Sequence, residues 1–176
     1  PALAGACACV TALVISGQST RRFCFEAFLP TDKKERKAVL EELKDETRTT
    51  VIYEAPHRLQ KTLKELLEHL GNRNLTICRE LTKKYEEAYR TTFAEALLRY
   101  ETEAPKGECV IVIEGKSIGE LKAEQQKSWE EMSLEEHMEL YLNQGIDRKE
   151  AMKLVAKDRG IAKRDVYRML TEQKES

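Results

Sequence analysis

The stretch Pro105-Lys106-Gly107-Glu108-Cys109-Val110-Ile111-Val112-Ile113-Glu114-Gly115 decides how the rest of the chain is read. Four branched apolar residues in succession, Val110-Ile111-Val112-Ile113, leave neither side polar, so the run predicts a central strand covered on both faces. Working back from it, residues 74–79, 49–53 and 22–28 carry β-branched or alternating apolar patterns and read as further strands, with residues 87–92 as another extended piece. Between them lie helical stretches. Pro30-Thr31-Asp32 caps a charged helix over 33–46 with Val39, Leu40 and Leu43 inward. Pro56 opens a helix striped by Leu59, Leu63, Leu66, Leu67 and Leu70 that stops at Gly71, and a short helix covers residues 92–100. Strands alternating with helices predict an α/β layer with mixed pairing. Two further polar blocks sit at strand ends, Tyr53-Glu54-Ala55-Pro56-His57-Arg58 and Arg79-Glu80-Leu81-Thr82-Lys83-Lys84. Strand ends are where layered α/β proteins hold ligands, because backbone groups there lack ladder partners.

Composition sets the outer limits. The 176 residues are 41% hydrophobic and 35% charged with four prolines, which predicts a globular chain rather than a disordered one. Lys+Arg 30 against Asp+Glu 31 gives net −1, so any nucleic-acid affinity must come from local asymmetry. No run reaches the roughly 18 apolar residues of a transmembrane helix. The opening Pro1-Ala2-Leu3-Ala4-Gly5-Ala6-Cys7 has no initiator Met and no basic region, and reads as the start of a fragment rather than a signal peptide. The five cysteines are scattered without a C-x-x-C pair, as expected of reduced thiols in a cytoplasmic protein.

After Gly115 the pattern changes. Residues 1–115 read as the α/β domain, 116–132 as a polar, partly helical linker, and 133–176 as a small all-helical domain. Ser133-Leu134-Glu135-Glu136 is a capping box, Asp147 opens a second helix ending near Arg159-Gly160, and residues 162–170 make a third. The last two match the spacing of a helix-turn-helix. Residues 145–171 hold eight cations and four anions, net +4, which suits phosphate contacts; a solvated hairpin packing Leu154, Val155 and Val166 is the plainer reading.

Glu54, His57, Arg58, Arg79 and Glu80 offer acid, base and cation near two adjacent strand ends, either as a pocket edge or as an ion-pair network tying strands to helices. Small residues in Gly5-Ala6-Cys7-Ala8-Cys9 allow a ligand close to the first helix, or simply close packing. His69 and His137 read as helix-surface residues. No dinucleotide fingerprint, P-loop, metal-ligand spacing or Ser/His/Asp set is present.

Taken together, Gly5-Ala6-Cys7-Ala8, Phe25-Glu26-Ala27-Phe28-Leu29-Pro30, Tyr53-Glu54-Ala55-Pro56-His57-Arg58, Arg79-Glu80-Leu81-Thr82-Lys83, Pro105-Lys106-Gly107-Glu108 and Glu114-Gly115 resemble the C-terminal portion of the ribosomal RNA small subunit methyltransferase I family, with its tetrapyrrole-methylase-like fold and helix-turn-helix tail. The resemblance implies methyl transfer from S-adenosyl-L-methionine to a cytidine ribose 2′-hydroxyl in 16S ribosomal RNA, in a cytoplasmic homodimer. It also implies cofactor contacts from Cys7, Ala8, Tyr53, Glu54 and Leu81, and RNA held by the tail. The N-terminal domain of that family is missing here, so this chain alone is expected to fold, bind cofactor weakly and catalyse nothing. Two other functions fit the residues: a non-enzymatic nucleic-acid-binding regulator, and a methylase of tetrapyrroles or other small molecules.

Overall fold

A computed structural model describes Gly5 and residues 7–172, so the readings made on residues 1–4 and on Ala6 lie outside the described residues. The chain divides into two compact units, Pro1–Ser117 and Ile118–Ser176.

The first unit runs α1 (Ala8–Ser16), β1 (Phe23–Phe28), α2 (Lys33–Lys44), β2 (Thr49–Glu54), α3 (Pro56–Leu70), β3 (Asn74–Arg79), β4 (Glu87–Thr92), α4 (Phe93–Thr102) and β5 (Cys109–Ile113). The sheet order is β1-β2-β5-β3-β4, with β1 parallel to β2 and every other pair antiparallel. The mixed α/β sheet flanked by helices is therefore present. β5 is its centre, and all five of its residues are buried. Their alternation splits the core in two: Cys109, Ile111 and Ile113 pack with residues of α2, α3 and α4 on one face. Val110 and Val112 face α1 on the other, with Cys9, Ala12 and Leu13. Leu59, Leu63 and Leu66 of α3 are fully buried, each contributing about 1.5–3 kcal/mol of apolar transfer.

Two local expectations change. The ends of β2 and β3 are not adjacent, because β5 inserts between them. In β1, where alternation put Phe23, Phe25 and Ala27 on one face, Phe23 and Phe25 do share the more exposed face but Ala27 leaves it to Phe28. A register shift between Phe25 and Ala27, with Ala27 at φ 51°, changes the side-chain parity of the strand. Phe25 and Phe28 consequently both reach Tyr53, edge-on, at 4.9 and 5.7 Å between ring centroids.

The second unit is helical throughout its described residues: α5 (Ile118–Glu131), α6 (Leu134–Leu142), α7 (Arg148–Asp158) and α8 (Lys163–Glu172). The segment read as a linker is thus a 14-residue helix. Its Glu, Lys and Gln content favours helix, while its lack of buried residues explains the weak periodicity. The capping box at Ser133 and the Asp147 cap form as expected. Leu134, Met138, Ala151, Val155 and Val166 make the core of this unit. His137, read as a surface residue, is fully buried: its ring stacks on Trp129 at 4.2 Å and bonds to Asp158 and Arg159.

Candidate active site

The three polar blocks meet. In the ladder, Glu54 pairs with Cys109 and Cys109 with Arg79, so the ends of β2 and β3 and the start of β5 share one end of the sheet. A cleft of about 300 Å³ opens there, walled by Ala8, Phe28, Tyr53, Leu81, Cys109 and Val110, with Glu80, Lys83 and Glu108 at its margin. The lining is mainly apolar.

Backbone at this end is held in uncommon shapes. Among the described residues, three non-glycines have positive φ: Ala27 (51°), Glu80 (51°) and Thr82 (63°). Ala27 precedes the cleft residue Phe28, and Glu80 and Thr82 flank Leu81. Such conformations cost about 1–3 kcal/mol each and persist where the surroundings impose them, often at ligand sites. Here the Thr82 N–H donates to Glu86 Oε2 at 2.6 Å, and Lys83 Nζ lies 3.2 Å from Glu80 Oε1. Gly107 (φ 75°) passes so close that a Cβ on it would lie 2.0 Å from Glu80 Oε1. Glycine at 107 thus leaves room for the Glu80 side chain beside the Pro105-Lys106-Gly107 block.

Tyr53 links the cleft to α1. That helix has no side-chain cap, and the Cys9 N–H in its first turn donates to the Tyr53 hydroxyl at 2.8 Å. Burial raises the Tyr53 pKa, with the Cys9 bond opposing, so the hydroxyl is protonated near neutrality. Burial likewise pushes the Cys78 and Cys109 thiols up to about 11, which leaves them poor nucleophiles.

Glu54 is placed differently from its neighbour. Its parity turns the side chain toward α3, where Oε2 accepts from the Thr62 hydroxyl (2.6 Å) and Oε1 from Arg58 Nε and the Ala55 N–H (both 2.8 Å). It is 1% exposed and does not line the cleft. Replacing Glu54 with Gln is expected to cost about 1–2 kcal/mol in urea unfolding, since a charge-assisted network becomes a neutral one. Arg79 bonds to Glu87, which Arg99 also approaches at 2.8 Å. Burial alone would raise the Glu87 pKa, but these two guanidinium groups outweigh it and hold the carboxyl below its usual range. His57 is exposed on the first turn of α3 and lines none of the cleft. Cys7, the N-cap residue of α1, is exposed; its carbonyl accepts from Thr11 N–H at 2.9 Å. Of the residues expected to contact cofactor, the cleft thus collects Ala8, Tyr53 and Leu81. Glu108, Cys109 and Val110 come from the third strand-end block and Phe28 from the 25–30 motif, though none was singled out as a cofactor contact; the β1 register shift that delivers Phe28 leaves no sequence signal beyond the phenylalanine spacing. Among the described residues, no three His, Cys, Asp or Glu side chains are grouped to hold a metal ion.

Residues 1–97 match the sequence profile of the family described as Tetrapyrrole (Corrin/Porphyrin) Methylases. The chain belongs to that family. Within it, the tetrapyrrole methylase chain is 46% identical over 169 residues to a Halalkalibacterium halodurans protein named Ribosomal RNA small subunit methyltransferase I. Proteins of the same name in Bacillus subtilis and Synechocystis sp. are 44% and 37% identical over 165 and 169 residues. These alignments take in 94–96% of this methylase chain and 56–59% of the relatives' lengths, so the chain spans little more than half of each relative. The similarity to ribosomal RNA small subunit methyltransferase I read from the strand-end motifs is thereby shown, and with it the methylase fold.

Proposed function

We propose that this chain carries one wall of the active site of an S-adenosyl-L-methionine-dependent methyltransferase that modifies the ribose 2′-hydroxyl of a cytidine in 16S ribosomal RNA. The carrying observation is the cleft at the joined ends of β2, β5 and β3, on a chain whose relatives are named as ribosomal RNA methyltransferases. The cleft suits the cofactor chemically. Leu81, Val110 and Phe28 offer apolar contact to a nucleoside ring, and Glu80 and Glu108 at the margin complement a sulfonium cation. When bound, the cofactor supplies an electrophilic methyl group. The chain's own residues align and exclude water: Leu81 and Ala8 contact the cofactor, and Tyr53 fixes the α1 entrance through Cys9. Cys7 acts through the N-cap and Glu54 through α3, as positioning residues. No general base is assigned.

The basic helices α7 and α8, read as a helix-turn-helix around Gly160, would hold RNA. Exposed Val10, Val14, Phe23 and Phe25 support a homodimer, in the cytoplasm where ribosomes are made. No described helix is long and apolar enough to cross a membrane. Turnover is assigned to the full-length protein, not to these 176 residues alone.

Calorimetry of the full-length protein with S-adenosyl-L-methionine tests the reading. Leu81→Lys should weaken binding by about 30-fold, since it sets a cation, worth roughly 2 kcal/mol, against the sulfonium in an apolar wall. Glu54→Gln should leave affinity within about threefold, as expected of a group that acts only through α3. A full-length protein that binds no cofactor would overturn the methylase reading in favour of a nucleic-acid-binding regulator.

A further inference from the structure

Beside the cofactor cleft lies a second hollow of about 510 Å³, formed by Arg79, Glu80, Tyr85, Lys106 and Gly107. Glu80 belongs to both, so the two share a wall. The charges of the second hollow divide into committed and uncommitted groups. Arg79 is bonded to Glu87, and Glu80 is paired with Lys83. Lys106 is exposed and has no ion-pair partner among the described residues. Lys84 has no carboxylate partner there either; its ammonium lies 5.5 Å from the Tyr85 ring centroid. Tyr85 is 69% exposed at the tip of the turn that joins β3 to β4. Tyr85 and Lys106 thus line the hollow itself, while Lys84, outside its lining, sits over the Tyr85 ring; an exposed aromatic ring with a cation against it and another in the same hollow suits a stacked base and its phosphates.

We propose that this hollow is the docking site for a short single-stranded segment of RNA next to the cofactor, with one base stacked on Tyr85 and adjacent phosphates held by Lys84 and Lys106. The inference rests on the reading of an RNA substrate and adds where the substrate sits. Glu80, held in left-handed backbone, lines both hollows, so a nucleotide here would lie next to the cofactor cleft. Arg79 serves as a positioning residue, since its guanidinium is already engaged by Glu87.

The test uses a fluorescein-labelled 12-nucleotide single-stranded RNA of mixed sequence and anisotropy titrations of the 176-residue chain. Tyr85→Ala should weaken binding at least about fivefold, the lower end of one base stack. Lys84→Ala and Lys106→Ala should each reduce the slope of log affinity against log salt by about 0.7, one phosphate contact on a single strand. Lys61→Ala, which removes a lysine 77% exposed on α3, should leave affinity and slope unchanged. No RNA binding, binding indifferent to Tyr85 and Lys106, or equal displacement of the RNA by polyglutamate would each overturn the assignment, the last marking an acidic-peptide site. The calorimetry above separates this from the methylase reading. Tyr85-dependent RNA binding in a protein that takes no cofactor keeps the hollow and discards the methylase. Cofactor binding with Tyr85→Ala silent towards RNA does the reverse.

Discussion

Gly115→Ala is expected to destabilise the α/β unit by about 3 kcal/mol or more, because the added methyl has nowhere to go. A Cβ at this position would lie 2.2 Å from the Thr47 carbonyl oxygen, 2.4 Å from its carbon and 2.7 Å from the Arg48 oxygen. All three are backbone atoms, so no side-chain rotation relieves the overlap. Nor can the chain swing aside. Just beyond, the Lys116 N–H donates to the Glu46 carbonyl at 2.8 Å and Lys116 Nζ meets Asp45 Oδ1 at 2.7 Å. Just before, Ile113 is in register with both Thr50 and Leu75. Moving Gly115 outward must break that clasp or shift β5, and β5 carries Cys109 and Val110 into the cleft. Urea unfolding followed by far-ultraviolet circular dichroism measures the effect. Gly71→Ala supplies the contrast: a Cβ there meets nothing within 4 Å, and only the backbone at φ 77° and ψ −179° is penalised, about 1–3 kcal/mol. A Gly115→Ala protein as stable as the parent would mean that the 45–48 segment does not hold its place against β5.

His137→Ala should cost the helical unit about 3 kcal/mol and remove its sensitivity to mild acid. The ring is fully buried between Trp129 and Tyr141. Because a guanidinium only donates, the bond from Arg159 Nε to Nδ1 at 3.1 Å fixes the proton on Nε2, which donates to Asp158 Oδ2 at 3.3 Å. Tyr141 donates to the same carboxylate, and Arg159 also bonds to the Met132 and Ser133 carbonyls between α5 and α6. Protonating Nδ1 would set one donor against another. Burial lowers the His137 pKa, the Arg159 charge adds to this, and Asp158 opposes both. With the folded value below the usual 6.5, the neutral ring stabilises the unit above that pH, and the contribution fades as pH falls through and below it. Trp129 is the only tryptophan and stacks on this ring, so its fluorescence reports on this unit selectively. His137→Phe should keep the stacking, lose the two hydrogen bonds, and flatten the stability profile between pH 7 and 5. A profile unchanged by His137→Phe would assign the acid sensitivity elsewhere.

Much of the molecule can be read from residue order because the signals are local. The four-residue apolar run at 110–113 made β5 central, Pro56 and the leucine stripe set the bounds of α3, and Ser133 and Asp147 set two helix starts in the tail. Strand-end motifs also carried the family. What escaped depends on partners distant in sequence. Glu54 and Tyr53 are neighbours, yet one side chain packs against α3 and the other against α1. Period-two alternation says only that they differ, not which one sees the cleft. His137 looked solvated because its neighbours in sequence are polar, but the ring is satisfied by Trp129, Asp158 and Arg159 from two other elements.

By itself, then, the residue order determined the elements, their caps and the kinship with methylases, since hydrophobic period and capping chemistry act within a few residues. Only the tertiary structure decided that β5 threads between β2 and β3, bringing Glu54, Cys109 and Arg79 to one end of the sheet and opening the two hollows there. Strand order is chosen by packing on both faces at once, which no single segment encodes.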